Sequence, residues 1–282
     1  MIDKAAGRLD ISACKKNQII ASESIPIADL QASEDNNQGV GAAVNTFCQQ
    51  HQLSSPTCTL MLPASSYQML LVEAPPVSAD ELAEGLQWKV KDLLNTAMEE
   101  SVIDGFLLPD DAYRGRQKMA YTVVANRAEL QGIADSLEEI DIKLDRIEVP
   151  ELVLLRLLEH YPRESQTEMI VVIGRQRGFL AVVADQALYL SRALDISDQA
   201  LQSESNVFDN NGPVDHFILE MQRSRDYFES QVGKGAIGRF LLAPLDSDSD
   251  GVLENYYTLR SSGQCGPPGD RAFRVVEVQA RG

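Results

Sequence analysis

Three apolar segments in close succession constrain this chain more than any other feature: residues 169–173, 178–184 and 188–194. Each is of strand length. The stretches between them, Arg175-Gln176-Arg177-Gly178 and Asp185-Gln186, supply tight turns. Connections that short join antiparallel neighbours, because a parallel return needs a crossover of about a dozen residues. Phe217, Met221 and Phe228 follow at helical spacing, and residues 237–243 read as one more strand. The start of the chain repeats the theme, with strands at 9–13 and 18–27 around the polar turn Lys15-Lys16-Asn17. Two antiparallel strand groups, each leading into helices and further strands, predict an α/β fold of two related halves. The expected halves are residues 1–165, enlarged by an insertion at about 75–125, and residues 166–282.

Within the first half, Val40, Val44 and Phe47 fit one helical face. Residues 57–62 and 67–72 read as a hairpin joined at Pro63-Ala64-Ser65-Ser66. Ser78 and Glu81 form a capping box for the next helix. Leu82, Leu86, Val90 and Leu93 give that helix one apolar stripe. Trp88 lies off the stripe, with Lys89, Lys91 and Asp92 beside it. An indole there is either core or the anchor of a partner, since it offers much contact area at small entropic cost. Strands at 102–108 and 119–125 flank an exposed loop. Asn126 and Glu129 cap a helix with Leu130, Ile133 and Leu137 inward, and a strand at 142–149 follows. Pro150 opens a helix carrying Leu152, Leu155 and Leu158. The sequence after Pro244 is polar, with a late strand candidate at 273–278.

Charge excludes whole classes of function. The 42 acidic and 25 basic residues give a net charge of −17. Such a field repels nucleic-acid backbones and disfavours anionic lipid surfaces. The nearest approach to a basic cluster is Arg114, Arg116 and Lys118. Cys14, Cys48, Cys58 and Cys265 are scattered, which points to a reducing compartment. No secretory signal pattern and no membrane-spanning apolar run is visible, so membrane association is expected only through a partner.

The chemical motifs are incomplete. Residues 233–238 spell G-x-G-x-x-G, but a helix pattern precedes and a strand pattern follows, the reverse of a dinucleotide fold. A helix-ending turn is expected instead. Asp246, Asp248, Asp250 and Gly251 match half of a calcium loop, but its closing twelfth position is Tyr257. Asp110-Asp111 reads as a solvated turn. His51 and His160 stand near helix ends, where an imidazole meets free carbonyls. Cys48 and Cys58 are expected in the core rather than as nucleophiles. No zinc-type spacing occurs.

Three segments carry a family resemblance: Tyr67-Gln-Met-Leu-Leu-Val-Glu-Ala-Pro-Pro-Val-Ser-Ala-Asp-Glu-Leu, Leu86-Gln-Trp-Lys-Val-Lys-Asp-Leu-Leu and Ile103-Asp-Gly-Phe. Together with Leu219-Glu-Met-Gln-Arg-Ser-Arg-Asp-Tyr-Phe-Glu-Ser-Gln, they resemble the MshI proteins of MSHA pilus biogenesis. That group is similar to PilM, the type IV pilus assembly protein with an actin-like fold. The resemblance covers residues 9–244 and implies two ribonuclease-H-like halves with an inserted subdomain. It also implies an ATP cleft with two phosphate hairpins and an adenosine loop, and there the sequence departs. The first hairpin normally reads Asp-x-Gly-Ser and is here Asp10-Ile11-Ser12-Ala13. The second has lost its aspartate at Val172-Ile173-Gly174, and the Gly-Gly of the adenosine loop is Ala243-Pro244. Asp10 and Arg192 are what a residual nucleotide site would use. The resemblance therefore implies a cytoplasmic, non-catalytic scaffold of a pilus platform without a cofactor, peripheral to the inner membrane. The partner it implies is the N-terminal cytoplasmic segment of a PilN-like inner-membrane protein, docked beside the inserted helix at Trp88, Lys89 and Asp92. An ATP-binding switch with Mg-ATP as cofactor and a GspL-like domain of a type II secretion system are the alternatives, and a homodimer is compatible with the sequence.

Overall fold

The structure, a computed structural model, describes residues 2–3, 8–15, 18–26, 36–54, 56–94, 97–158, 167–174, 177–197, 212–242 and 274–276. The chain divides into two compact units. Unit 1 is Met1–Phe106 with Ala120–Pro150, and unit 2 is Leu107–Met119 with Glu151–Gly282. The expected boundary at 165/166 falls in 159–166, outside the described residues.

Unit 1 begins with β1 (Ile2–Asp3), β2 (Arg8–Lys15) and β3 (Gln18–Pro26), an antiparallel sheet in that order. Helix α1 (Asn36–Gln50) buries Val40 and Phe47, two turns apart on one face, and packs on α3 (Arg127–Glu138). The start of α3 is fixed by Asn126, whose side chain accepts the Glu129 amide at 2.9 Å. Leu130, Ile133 and Leu137 point inward as their spacing predicts.

The strands β4 (Thr57–Met61) and β5 (Tyr67–Glu73) do not form the expected hairpin. β4 pairs in parallel with β8 (Lys143–Glu148), and β5 joins β7 (Met119–Asn126) and β6 (Ser101–Leu107) in the order β5-β7-β6. The turn itself exists, with the Ser66 amide donating to the Pro63 carbonyl at 2.9 Å. A short turn permits pairing of its flanks without requiring it, and each strand here finds a partner far along the chain.

Helix α2 (Leu82–Val90) lies on the β5-β7-β6 sheet. A 3-10 turn at Ala79–Glu81 leads into it, and the Glu81 carboxylate accepts from the Ser78 amide at 3.3 Å and the Ser78 hydroxyl at 2.8 Å. Leu86 and Val90 are wholly buried against Val72, Ile103, Ala120 and Val124. Gly105 makes this approach possible: a Cβ there would collide with the Leu86 side chain and the Tyr121 carbonyl. The expected stripe ends early. Leu93 is 54% exposed, because the chain turns extended at Leu94, which packs on the cluster in its place.

Unit 2 is built on the three apolar strands: β9 (Thr167–Ile173), β10 (Gly178–Ala184) and β11 (Ala187–Leu194). They form an antiparallel meander, and β10 is buried along its whole length. Asp185 and Gln186 close the β10–β11 turn with φ of 46° and 63°. After helix α5 (Pro213–Tyr227) and a π-helical turn (Phe228–Val232), β12 (Arg239–Leu242) returns parallel to β9. β13 (Arg274–Val276) lies antiparallel beside β12, giving the order β11-β10-β9-β12-β13. Three strands, then a helix, then one more strand is the order read from the sequence for the second half. At the β9–β12 contact, buried Glu168 meets Arg239, its register partner, at 3.2 Å.

Helix α4 (Pro150–Leu158) buries Glu151, Leu154 and Leu158, where Leu152, Leu155 and Leu158 were expected. Its sequence is leucine-rich on both faces, so periodicity alone could not choose between two faces so close in angle.

Candidate functional site

Trp88, Lys89 and Asp92 lie together at the outer surface of α2 and of the 3-10 turn, Lys91–Leu93, that continues it. Trp88 is 71% exposed, while Leu86 and Val90 of the same helix are fully buried. The sequence left the indole as either core or anchor; the structure places it outside the core. Lys89 pairs with Glu73 at 3.7 Å, both exposed, and Lys91 and Asp92 are also solvent-facing. An exposed pair of this kind contributes about 0–1 kcal/mol, so it does little to fix the surface. Leu93 and Val77 add exposed apolar area on the neighbouring turns.

Asp10 and Arg192 fall in different units. Asp10 is half-buried on β2 between buried Leu9 and Ile11 and opposes Ser24 on β3. The residues after it remain in the strand, where the Ser12 and Ser22 hydroxyls lie 3.0 Å apart. None is glycine, so side chains stand where a phosphate loop would bare its amides. Arg192, half-buried on β11, stacks its guanidinium over the Tyr227 ring at 5.4 Å and donates to the Ser224 hydroxyl at 3.4 Å.

Among the described residues of the β9–β10 hairpin, no carboxylate stands where the resemblance puts one for a magnesium-bound triphosphate. Val172 and Ile173 have no carboxylate to offer. The nearby Asp195 is occupied: Arg177 donates to its Oδ1 from Nε at 3.0 Å and from Nη2 at 2.8 Å. Of the two hairpin aspartates that the resemblance implies, Asp10 is the one present. Among the described residues no group of three or more His, Cys, Asp or Glu could hold a metal. The half calcium loop, Ala243-Pro244, His160 and Cys265 lie outside the described residues.

The other candidates resolve into structure. His51 stacks against Phe47, with ring centroids 4.6 Å apart. Cys48 and Cys58 are half-buried, and burial pushes both thiols up, away from the thiolate a nucleophile needs. The G-x-G-x-x-G stretch is the helix-ending turn expected of it: Gly233 caps the π-helical turn at φ 80°, and β12 follows.

Asp111 is an exposed turn residue, as expected, but its carboxylate is not left to solvent alone. Its carboxylate is held by Lys234, 123 residues away, and accepts from the Tyr189 hydroxyl at 2.7 Å. Lys234 also pairs with Asp185 at 2.8 Å and lies over the Tyr189 ring at 5.3 Å. The Lys234 hydrogen bond, then that of Tyr189, holds the Asp111 carboxyl below the usual carboxylate range. The same bond to Asp111, then that to Asp185, pushes the Lys234 ammonium up. Burial, then the bond to Asp111, raises the Tyr189 phenol. Arg114, Arg116 and Lys118 are the basic residues near Asp111 in sequence, yet the cation that holds it is Lys234, which stands between two glycines.

No family model matches the chain, and no curated protein matches it in sequence. Solved structures do. The chain is similar to one in the PilM–PilN type IV pilus biogenesis complex, with a TM-score of 0.69 and 14% identity over 90% of this chain and 83% of that one. It is also similar to a Bacteroides thetaiotaomicron protein with an actin-like ATPase fold and unknown function, with a TM-score of 0.52 and 9% identity over 90% and 84% of the two chains. The chain has an actin-like fold. Identities this low carry the fold alone. Among the described residues no helix is long and apolar enough to cross a membrane.

Proposed function

We propose that this chain is a non-catalytic scaffold of a type IV pilus assembly platform of the MSHA type, and that α2 is its partner-binding surface. The partner is the N-terminal cytoplasmic segment of a PilN-like inner-membrane protein, which would hold the chain at the cytoplasmic face of that membrane. One observation carries the reading: a 71% exposed tryptophan on a helix whose opposite face is fully buried. Tryptophan is among the residue types enriched at the centres of binding hot spots. The fold shared with a chain of the PilM–PilN complex supports the choice of partner class, as do the segments around α2 that resemble MshI. Lys89 and Asp92 flank the indole and would set orientation more than affinity.

The chain works without nucleotide in this reading. Support comes from the strand that runs on past Asp10 without a glycine, and from Asp195 bound to Arg177. Isothermal titration calorimetry on the intact chain tests both parts. A synthetic PilN-like cytoplasmic segment is expected to bind, and Trp88→Ala to abolish the heat. Mg-ATP is expected to give no signal. Micromolar ATP binding lost in Asp10→Ala would replace the scaffold with a nucleotide switch.

A further inference from the structure

Residues 107–119 run from the last residue of β6 to the first of β7, yet they group with unit 2 while the rest of those strands groups with unit 1. Their seat is polar. Asp111 receives Lys234 and the Tyr189 hydroxyl, Arg114 Nη2 donates to the Ser230 carbonyl at 2.9 Å, and the Tyr113 and Tyr227 hydroxyls lie 3.3 Å apart. Leu108 and Ala112 are the buried apolar residues of the segment. The receiving surface is shaped for it: a Cβ at Gly233 would come within 2.6 Å of Arg114 Cγ, so the arginine lies across a position that only glycine leaves clear.

The backbone of this segment does not rest in its own preferred state. Tyr113, Arg114 and Gly115 follow one another at φ 55°, 58° and 62°, and the first two are side-chain-bearing residues in the left-handed region. Such a run persists only while surrounding contacts hold it. Lys234 is also not orphaned by loss of Asp111. It keeps Asp185 at 2.8 Å, on the β10–β11 turn, and the face of Tyr189. A strained segment on one side, and a catch that stays satisfied on the other, are the two requirements of a reversible closure.

We propose that residues 107–119 are a strap latched to unit 2 by Lys234. The strap lies down when Lys234 holds Asp111, and lifts as a unit when that pair breaks, leaving the five-stranded sheet folded. β6 and β7 continue directly into its two ends, so the sheet that backs α2 and the Lys234 catch act on one stretch of peptide. This goes beyond the scaffold reading and stands whether or not α2 binds a partner.

Hydrogen exchange of the intact chain, read by mass spectrometry, tests it. In Lys234→Met the strap amides, such as Ala112 and Arg116, are expected to exchange about tenfold faster or more, while the amides of β9, β10 and β11 keep the wild-type rate. Lys118→Met, which breaks only the exposed pair with Asp110, should leave the strap protected. Unchanged strap exchange in Lys234→Met overturns the proposal, and so does a matching rise across β10. Should that variant not fold, the wild type decides: strap amides opening by an event that β10 does not share support the latch. A single shared opening sinks it.

Discussion

Trp88 of unit 1 and Lys234 of unit 2 both carry large side chains at the end of a helical segment, and the fold treats them in opposite ways. Trp88 is given nothing: its helix buries Leu86 and Val90 and leaves the indole in water. Lys234 is given everything: two carboxylates and an aromatic face converge on one ammonium whose side chain remains 24% exposed. A surface group that the chain satisfies by itself has a structural task. One that the chain leaves in water, and is apolar besides, is available to another molecule. The contrast separates a surface that faces outward from a cluster that faces inward, although both involve charged residues in exposed turns.

The largest effect should come from the hidden face of α2. Leu86→Ala removes a fully buried side chain from the cluster of Val72, Val90, Ile103, Ala120 and Val124, and should cost about 2–5 kcal/mol in urea unfolding. A loss under about 1 kcal/mol would mean that α2 is loosely seated, and the exposure of Trp88 would then say little.

Next is Trp88 itself, where stability and binding should part. Trp88→Ala should change urea stability by no more than about 0.5 kcal/mol, since the ring is mostly in solvent. The affinity for the partner segment should fall by about 2 kcal/mol or more, roughly thirtyfold. A stability loss comparable to that of Leu86→Ala would place the indole in the fold and remove the contrast.

Much of this was legible in the sequence, and the gaps have physical causes. The unbroken apolar runs at 169–173, 178–184 and 188–194 gave the meander of unit 2, because connections of four and two residues are too short for a parallel return. The caps at Ser78 and Asn126 located α2 and α3, because those signals are local. Pairing of β4 with β8 was not legible, since which strand lies beside another is a long-range choice. The buried face of α4 was lost for a different reason: a helix apolar on two sides offers two solutions. At the candidate sites, Trp88 off its stripe was visible as an oddity. The Asp111–Lys234 pair spans 123 residues and could not be seen.

Lys234→Met should cost less stability than Leu86→Ala and more than Trp88→Ala. Asp111 is more than half exposed, so the pair is screened, and the loss in global stability should be about 1 kcal/mol. Lys89→Ala, at the other exposed lysine, should be near neutral by the same urea measurement. If the two lysines cost the same, the difference between a converging cluster and a lone surface pair disappears.

The smallest and most specific test is the acid limb of stability. The Asp111 carboxyl is held below its ordinary value of 3.8, first by the Lys234 bond and then by Tyr189. A carboxyl lowered in the folded state stabilises fully above its unfolded value and loses that stabilisation as pH falls through the folded one. Lys234 is shifted the opposite way, up from 10.5, so its contribution is complete below 10.5 and is lost only in strong base. The stability difference between wild type and Asp111→Asn should therefore be flat from about pH 5 to pH 9 and shrink as pH drops below about 4. Urea unfolding of both proteins across the acid range reads this directly. A difference that stays constant through the acid limb would mean that Asp111 works by shape and neutral hydrogen bonds, and that Lys234 holds the strap without its charge.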